Sequence, residues 1–372
     1  MSDLPEPAGA VPAPAPSLLT GTAEPVSVVM PVRNEERYLS EAVQHILSQE
    51  YDGELEVVIA VGPSKDRTAE VAARLAAADP RIRVVDNPTG QRPAAMNIAL
   101  RTCRHGIVVR VDGHAMLPDG YIRTAVATLQ ETGAANVGGI MAAEGITAFQ
   151  QAVAWAMTSP FGVGAARFHT GGQPGPADTA YMGVFRREAI ERAGGYNEHF
   201  EIAEDWELNH RIRQAGGLIW FQPAMRVSYR PRDSVTDLGT QYFRYGRWRR
   251  VVSRQHAGTI NLRYLAPPAT VAAVTAGTLA GLAGLAGVAA GATGSWPSLL
   301  TIGFVIPAGY LAGIAAVSAR AARQLSWRTA ARLPMTLITM HMCWGTGFLT
   351  SPRRLLPAAG EARSVSGIAQ RQ

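Results

Sequence analysis

Apolar positions recur along this chain in three patterns, and each predicts a different kind of element. Residues 26–30, 55–61, 82–85, 107–111 and 137–140 are short runs rich in Val and Ile, which read as buried strands. Between them the apolar residues fall at helical spacing: Leu39, Ala42, Val43, Ile46 and Leu47 after Glu36, then stretches over 67–77, 92–103 and 119–131. Strands alternating with helices of this length imply an α/β fold, a mostly parallel sheet with helices on both faces. In such sheets ligands bind beyond the carboxyl ends of the strands.

After residue 140 the alternation stops. Residues 149–157 read as helical, and 162–176 as a glycine- and proline-rich mobile loop. A helix is expected from Glu204 through Ile212 to Gly216, then short strands at 218–221 and 226–229. The third pattern begins at Leu265. Residues 265–292 and 296–319 carry no charge, and 333–350 hold only His341. The first two exceed the roughly 20 residues needed to cross a bilayer, and the third is just long enough. Their Gly and Ala content predicts close helix packing. Arginines before the first run and at 320, 323, 328 and 332 mark the cytoplasmic side. Three spans would leave the tail outside although it carries Arg353, Arg354 and Arg363; a re-entrant third segment is the alternative.

Charge changes the picture only when divided. The net charge is +6, but residues 1–25 carry −3 and 26–238 carry −4, whereas 239–263 carry +6 and 264–372 carry +7. A mildly acidic globular part argues against a nucleic-acid partner, and the downstream arginines point to membrane lipids. Cys103 and Cys343 form no disulfide framework, which fits a reducing compartment. The lead at 1–25 is rich in Pro and Ala and lacks the basic start and apolar run of a signal peptide. The expected organisation is a disordered lead (1–25), a globular domain in the cytoplasm (26–238) and a basic aromatic interfacial segment (239–263). A membrane region of about three helices (264–350) and a tail (351–372) follow, making a multi-pass protein of the cell membrane.

Polar residues gather at the strand ends. The first strand runs into Pro31-Val32-Arg33-Asn34-Glu35, and the second is followed by Ser64-Lys65-Asp66-Arg67-Thr68. The third leads to Arg92, and the fourth into Asp112-Gly113-His114. Each alone reads as a turn or a helix cap; four on one edge read as a polar cleft. Arg33, Lys65 and Arg92 can offset a diphosphate's charge, while Glu35 and Asp66 can hold hydroxyls of a ribose or base. An Asp and a His two residues apart at a strand end can face one divalent cation. Glu204 and Asp205 are either first-turn capping residues or a base for a substrate hydroxyl. Residues 241–250 read equally as an interfacial helix and as a lid over donor phosphates.

Together with Arg186-Arg187, Gly194-Gly195-Tyr196 and Glu204-Asp205-Trp206-Glu207-Leu208, these motifs resemble the family 2 inverting glycosyltransferases of the GT-A fold. They look most like the membrane-bound enzymes of the succinoglycan and exopolysaccharide type, over about residues 26–268. The resemblance implies a hexosyltransferase that moves one sugar from a nucleotide-sugar donor to a lipid-linked or polysaccharide acceptor, with inversion. It places Pro31, Arg33, Glu35 and Asp66 on the nucleotide and Arg92 near the diphosphate. Asn97 and Arg244 join the donor-binding set. Asp112, with His114, would hold Mg²⁺ or Mn²⁺, and Asp205 beside Glu204 would be the general base. Two positions depart from the family pattern. Val61-Gly62 stand where an aspartate pair is usual, and His114 where a second carboxylate is usual. The rival readings are a nucleotidyltransferase and a catalytically degenerate membrane scaffold.

Overall fold

Strands β1 (Val26–Val32), β2 (Leu55–Val61), β3 (Ile82–Asp86) and β4 (Ile107–Arg110) form the parallel half of an eight-stranded sheet. The computed structural model describes residues 23–164 and 166–356. The expected lead up to residue 22 and the tail from 357 lie outside the described residues. β1, β2 and β4 are buried along almost their whole length, so they read as continuous apolar runs. In the edge strand β3 only Ile82 is buried, and the following positions alternate between half-buried and exposed.

Sheet order is β3-β2-β1-β4-β7-β5-β8-β6, with β5 (Asn136–Ala143), β6 (Gly175–Pro176), β7 (Tyr181–Arg186) and β8 (Ile219–Tyr229) completing it. β7 runs antiparallel between β4 and β5. Successive side chains of a strand point to opposite faces, and each face has its own core. Val28, Met30, Val57, Ile59 and Val109 pack under α1 (Leu39–Leu47), α2 (Thr68–Ala78) and α4 (Tyr121–Thr132). Val29, Val58, Ala60 and Val108 pack under α3 (Arg92–Thr102) and two later helices. At roughly 1.5–3 kcal/mol per buried aliphatic side chain, these two layers dominate the stability of the domain.

Past β5 the chain forms α5 (Ala148–Thr158) and then two single turns, α6 (Pro160–Val163) and α7 (Arg167–Thr170). The stretch expected to be a loop therefore holds short helices and strand β6. Next come α8 (Arg187–Arg192) and α9 (Glu204–Gln214), which complete the second face. The two short strands expected at 218–221 and 226–229 are one strand, β8. Its register against β5 breaks between Gly138 and Ile140, opposite the segment containing Pro223. Proline cannot donate to the ladder, so the strand bulges there and resumes.

Helix α10 (Val235–Gln255) covers the basic aromatic segment, and α11 (Leu262–Ala289) follows. α12 (Trp296–Thr301) and α13 (Val305–Ala321) join through a 3₁₀ turn into one rod. α11 and residues Trp296–Ala321 are long and apolar enough to cross a membrane, with mean hydropathy 1.8 and 1.9. Gly277, Gly281, Gly284 and Gly287 line the face of α11 that packs on this rod, as the composition predicted.

The third apolar run departs from expectation. After α14 (Trp327–Ala330), α15 (Leu333–Leu349) is 17 residues long and buries Leu333, Leu337 and Met340 against α5 and α10. A Cβ at Gly246 would lie 2.0 Å from the Trp344 carbonyl oxygen, and one at Gly347 would lie 2.1 Å from that of Phe243. The backbones of α10 and α15 thus touch, and α15 also packs on α11, where a Cβ at Gly345 would lie 2.5 Å from the Pro267 carbonyl oxygen. Leu355 and Leu356 then pack beside Phe200 and Trp248, returning the chain to the domain.

Candidate active site

Strand order reverses between β1 and β4, and at such a point the two following loops part to leave a crevice. Val29 of β1 stands beside Arg110 of β4, so the loops after these strands open side by side. Asn34 takes a left-handed backbone (φ 58°), and its side chain accepts a hydrogen bond from the Lys65 amide at 2.8 Å. The Glu35 amide donates to Thr68 Oγ1 at 2.7 Å, and the Glu36 amide to Asp66 Oδ2 at 3.1 Å. The first two loops are thereby stitched into one wall. Arg33 lies along it, donating from Nε to the Pro63 carbonyl at 3.2 Å, while Pro31 remains in β1 beside Ala60.

Opposite that wall sits a cluster that one arginine holds together. Arg110 is 3 % exposed, the last residue of an otherwise apolar strand. Its guanidinium donates from Nη2 to Asp112 Oδ1 at 3.2 Å and to Glu204 Oε1 at 3.4 Å, and Nη1 pairs with Asp205 Oδ1. Arg92, at the start of α3, reaches the same Glu204 oxygen at 3.3 Å. Three carboxylates against two guanidinium groups leave one negative charge at the crevice. Burial pushes Asp112 towards its neutral form, but Arg110 and Arg92 outweigh it and hold the carboxyl well below the usual carboxylate range. Burial likewise opposes the charge on Arg110, and Asp112 and Glu204 more than restore it.

Ala203, just before α9, holds a left-handed φ of 67°. For a residue with a Cβ this costs about 1–2 kcal/mol. The turn sets Glu204 and Asp205 at the head of α9, where both meet Arg110. Glu204 is buried, with Oε1 between the two arginines, whereas the Asp205 side chain keeps 29 % of its surface accessible.

Five residues expected to touch the ligand have partners within the protein. His114 Nδ1 lies 2.8 Å from Glu35 Oε1, so the imidazole and this carboxylate bind each other across the two loops. That hydrogen bond raises the His114 pKa. Gly113 makes the approach possible, since a Cβ there would lie 2.9 Å from both Glu35 Cγ and Val32 Cγ1. The glycine admits the neighbouring loop. Asp66 accepts from Thr68 Oγ1 at 2.5 Å, the Thr68 amide and the Glu36 amide, which makes it a loop brace. Asn97 is buried, and its amide binds Tyr196 N and O and Glu198 Oε1, so it anchors the Gly195-Tyr196 turn to α3 instead of facing a nucleotide. Arg244 pairs at 3.3 Å with Glu201 on the surface of α10. Arg110 is the residue that sequence reasoning passed over. A single charge in the run Val108-Val109-Arg110-Val111 is the signal that would have found it.

The sequence profile described as "Glycosyl transferase family 2" matches residues 27–194, which include Arg92, Arg110 and Asp112 and stop short of Glu204 and Asp205. The succinoglycan biosynthesis protein ExoA of Rhizobium meliloti (strain 1021) is 35% identical over 244 residues, 65% of this chain and 74% of that protein. The chain belongs to glycosyl transferase family 2. Another relative of this glycosyltransferase, from Methanococcus voltae, is 23% identical over 253 residues, 65% of this chain and 77% of its own. It is a dolichyl N-acetyl-alpha-D-glucosaminyl phosphate 3-beta-D-2,3-diacetamido-2,3-dideoxy-beta-D-glucuronosyltransferase. The fold is that of the mannosyltransferase PcManGT from Pyrobaculum calidifontis, a structure in complex with GDP-Man and Mn2+. The match has a TM-score of 0.52 at 18% identity and covers 85% of this chain and 86% of that one. The glycosyltransferase is thus a GT-A-like α/β protein with two apolar helices near its carboxyl end.

Whether these residues suit a divalent cation can be tested on the cluster itself. Among the described residues no three acidic, His or Cys side chains are grouped to hold a metal alone. Asp112 Oδ1 faces Arg110, and among the described residues no group donates to Oδ2. One available carboxylate oxygen suits a hard cation whose remaining ligands are substrate phosphates and water. The glycosyltransferase's Asp112 fits that role; His114 holds Glu35 through Nδ1.

Proposed function

We propose that this glycosyltransferase moves one sugar from a nucleoside-diphosphate donor to a hydroxyl of a lipid-linked glycan, inverting the anomeric centre. The transfer would serve cell-surface or exopolysaccharide biosynthesis. The observation that carries this reading is Arg110 holding Asp112 on one side and Glu204-Asp205 on the other, at the crevice between β1 and β4. Asp112 lies where a donor's diphosphate would enter, and Arg92 beside it offers positive charge to the same group. A divalent cation, Mg²⁺ or Mn²⁺, would be held by Asp112 and would stabilise the departing diphosphate.

Asp205 is the more accessible carboxylate of the pair, and we assign it the general base. Ionised opposite Arg110, it takes the proton of the acceptor hydroxyl as that oxygen attacks the anomeric carbon from the face away from the diphosphate. One displacement inverts the configuration. Glu204 positions Arg92 and Arg110. The succinoglycan relative supports an exopolysaccharide context, and the relative named for a dolichyl phosphate-linked sugar supports a lipid-borne acceptor.

α11 and the α12–α13 rod would anchor the domain as a helical hairpin. Their outward Leu279, Leu282, Leu285, Leu299 and Val305 are more than half exposed, a surface that suits lipid better than water. A hairpin brings the chain back to the side it left, so Arg320, Arg323 and Arg328, the globular domain and residues up to 356 would share the cytoplasmic face.

The test is a screen of nucleotide sugars with the full-length protein in lipid nanodiscs, reading metal-dependent transfer or slow donor hydrolysis. At least one donor should be turned over, and Asp112→Asn and Asp205→Asn should each abolish most of that turnover. Unchanged turnover in both variants would refute the assignment.

A further inference from the structure

Beside the catalytic helix, where the chain turns into the first apolar helix, several buried donors lack acceptors. Arg249 of α10 is 6 % exposed, and its guanidinium is sandwiched between the Trp206 ring (4.0 Å to the centroid) and the Tyr264 ring (3.7 Å). One amino group binds the Thr259 carbonyl, but Nε and Nη1 have no partner among the described residues. The Nε atoms of Arg213 and Arg263 and the indole Nε1 of Trp206 are also buried with no partner among the described residues. The carboxylate within ion-pair range is Asp178, whose oxygens lie 3.7 Å from Arg213 and 3.9 Å from Arg263, beyond hydrogen-bond distance. Three guanidinium groups against one carboxylate leave two positive charges. Burial lowers the Arg249 pKa to about 10, so holding that charge here is unfavourable without an anion.

Buried donors normally find partners, and a cluster of unmatched N–H groups with excess positive charge calls for oxygens from outside the chain. Aromatic rings on both faces of Arg249 fix its plane and leave its edge as the binding surface. The location narrows the ligand. Arg263 is the second residue of α11, the first candidate membrane helix, and the neighbouring Leu262 is 85 % exposed. Trp206 directly follows Asp205.

We infer that Arg213, Arg249 and Arg263, with the Trp206 indole, form an anion site at the membrane surface that takes the phosphate or diphosphate of a lipid. The inference rests on the membrane-bound transferase reading and adds to it the group that holds the acceptor's lipid end. Bound there, the phosphate is fixed beside the first candidate membrane helix, and the glycan it carries extends towards Asp205. The donor diphosphate uses a different set, Arg92 and Asp112.

The experiment uses the full-length protein in phosphatidylcholine nanodiscs, with the donor site saturated by Mg²⁺ and a nucleoside diphosphate. Farnesyl diphosphate is the probe, and calorimetry reads its binding. It should bind despite the nucleotide, and Arg263→Gln and Arg213→Gln should each weaken it by about tenfold, as expected for losing one charge-assisted contact. Nucleotide affinity should stay unchanged in both variants. Arg249→Lys serves as a third variant because the ring sandwich tolerates a cation, and it should weaken the probe too. Competition by the nucleotide, or equal probe binding in all three variants, would overturn the site. Repeating the titration with phosphatidylglycerol mixed into the nanodiscs separates the sources. Loss of probe binding there assigns the site to a bilayer headgroup phosphate; persistence assigns it to a lipid-diphosphate acceptor. If the parent protein fails to bind nucleotide at all, the transferase reading fails. If nucleotide binds and the probe does not, only this site fails.

Discussion

Arg110 Nη2 lies 3.2 Å from Asp112 Oδ1, a contact between two residues of one strand end that fixes the carboxylate before any ligand arrives. The same guanidinium binds Glu204 and Asp205, about ninety residues downstream, so the two sides of the crevice share one cation. Removing it leaves three carboxylates facing each other with Arg92 alone. Arg110→Met should therefore lower stability by about 3–5 kcal/mol, the usual cost of breaking a buried ion pair by deleting one partner. Chemical denaturation reads the loss. Arg110→Lys should recover part of the stability but little turnover, because an ammonium cannot span three carboxylates as a planar fork does.

Chelation should separate folding from catalysis. Among the described residues no three acidic, His or Cys side chains are grouped to hold a metal, so EDTA should leave the melting temperature of the donor-free protein unchanged. It should abolish the stabilisation that a nucleoside diphosphate confers with metal present. Differential scanning fluorimetry with and without donor checks both arms. His114→Ala should keep the metal dependence, since His114 faces Glu35; loss of metal response in that variant would return the imidazole to the coordination shell.

Glu207 gives a pH-dependent contribution outside the catalytic cluster. It is fully buried, and burial alone would raise its pKa, yet hydrogen bonds from His256 and Arg211 lower it below the ordinary glutamate value. A carboxyl whose pKa is depressed on folding stabilises the protein above its unfolded pKa, about 4.3, and loses that contribution as pH falls through its folded value. Glu207→Gln should thus destabilise the protein at neutral pH. The gap to the parent protein should shrink below about pH 4. Melting temperatures of both proteins across this range test it, and a constant gap would contradict the assignment.

Asn97 distinguishes a scaffold from a binding residue. Asn97→Ala removes three hydrogen bonds that tie α3 to Tyr196 and Glu198 and should cost about 1–3 kcal/mol in stability. The KM for the nucleotide sugar should move little at temperatures where the variant is folded. A large rise in donor KM at unchanged stability would place the amide on the nucleotide after all.

Much of the architecture was legible because it rests on local patterns. The largely apolar runs of β1, β2 and β4 reported double-sided burial, and the helical spacing from Leu39 to Leu47 reported α1 with its buried face intact. The strand ends also located the crevice, since loops following parallel strands must emerge on one edge. Partner choice was not legible. Nothing in the order of residues says that Glu35 meets His114, 79 positions away, or that Asp66 turns back to Thr68 two positions on. Both arrangements place the same residue types in the same loops. The third apolar run was ambiguous for a related reason: hydropathy measures how much a helix prefers to leave water, and α15 meets part of that preference against α5, α10 and α11.

Gly246 and Gly347 give that helix pair a mechanical meaning. Where side chains mediate a crossing, substitutions and rotamer changes let two helices slide. Here main chain meets main chain, and the separation is set by atoms that every amino acid shares. The spacing of α10 from α15 is therefore gauged by backbone dimensions, and drift elsewhere along the two helices can retune their surfaces without changing that separation.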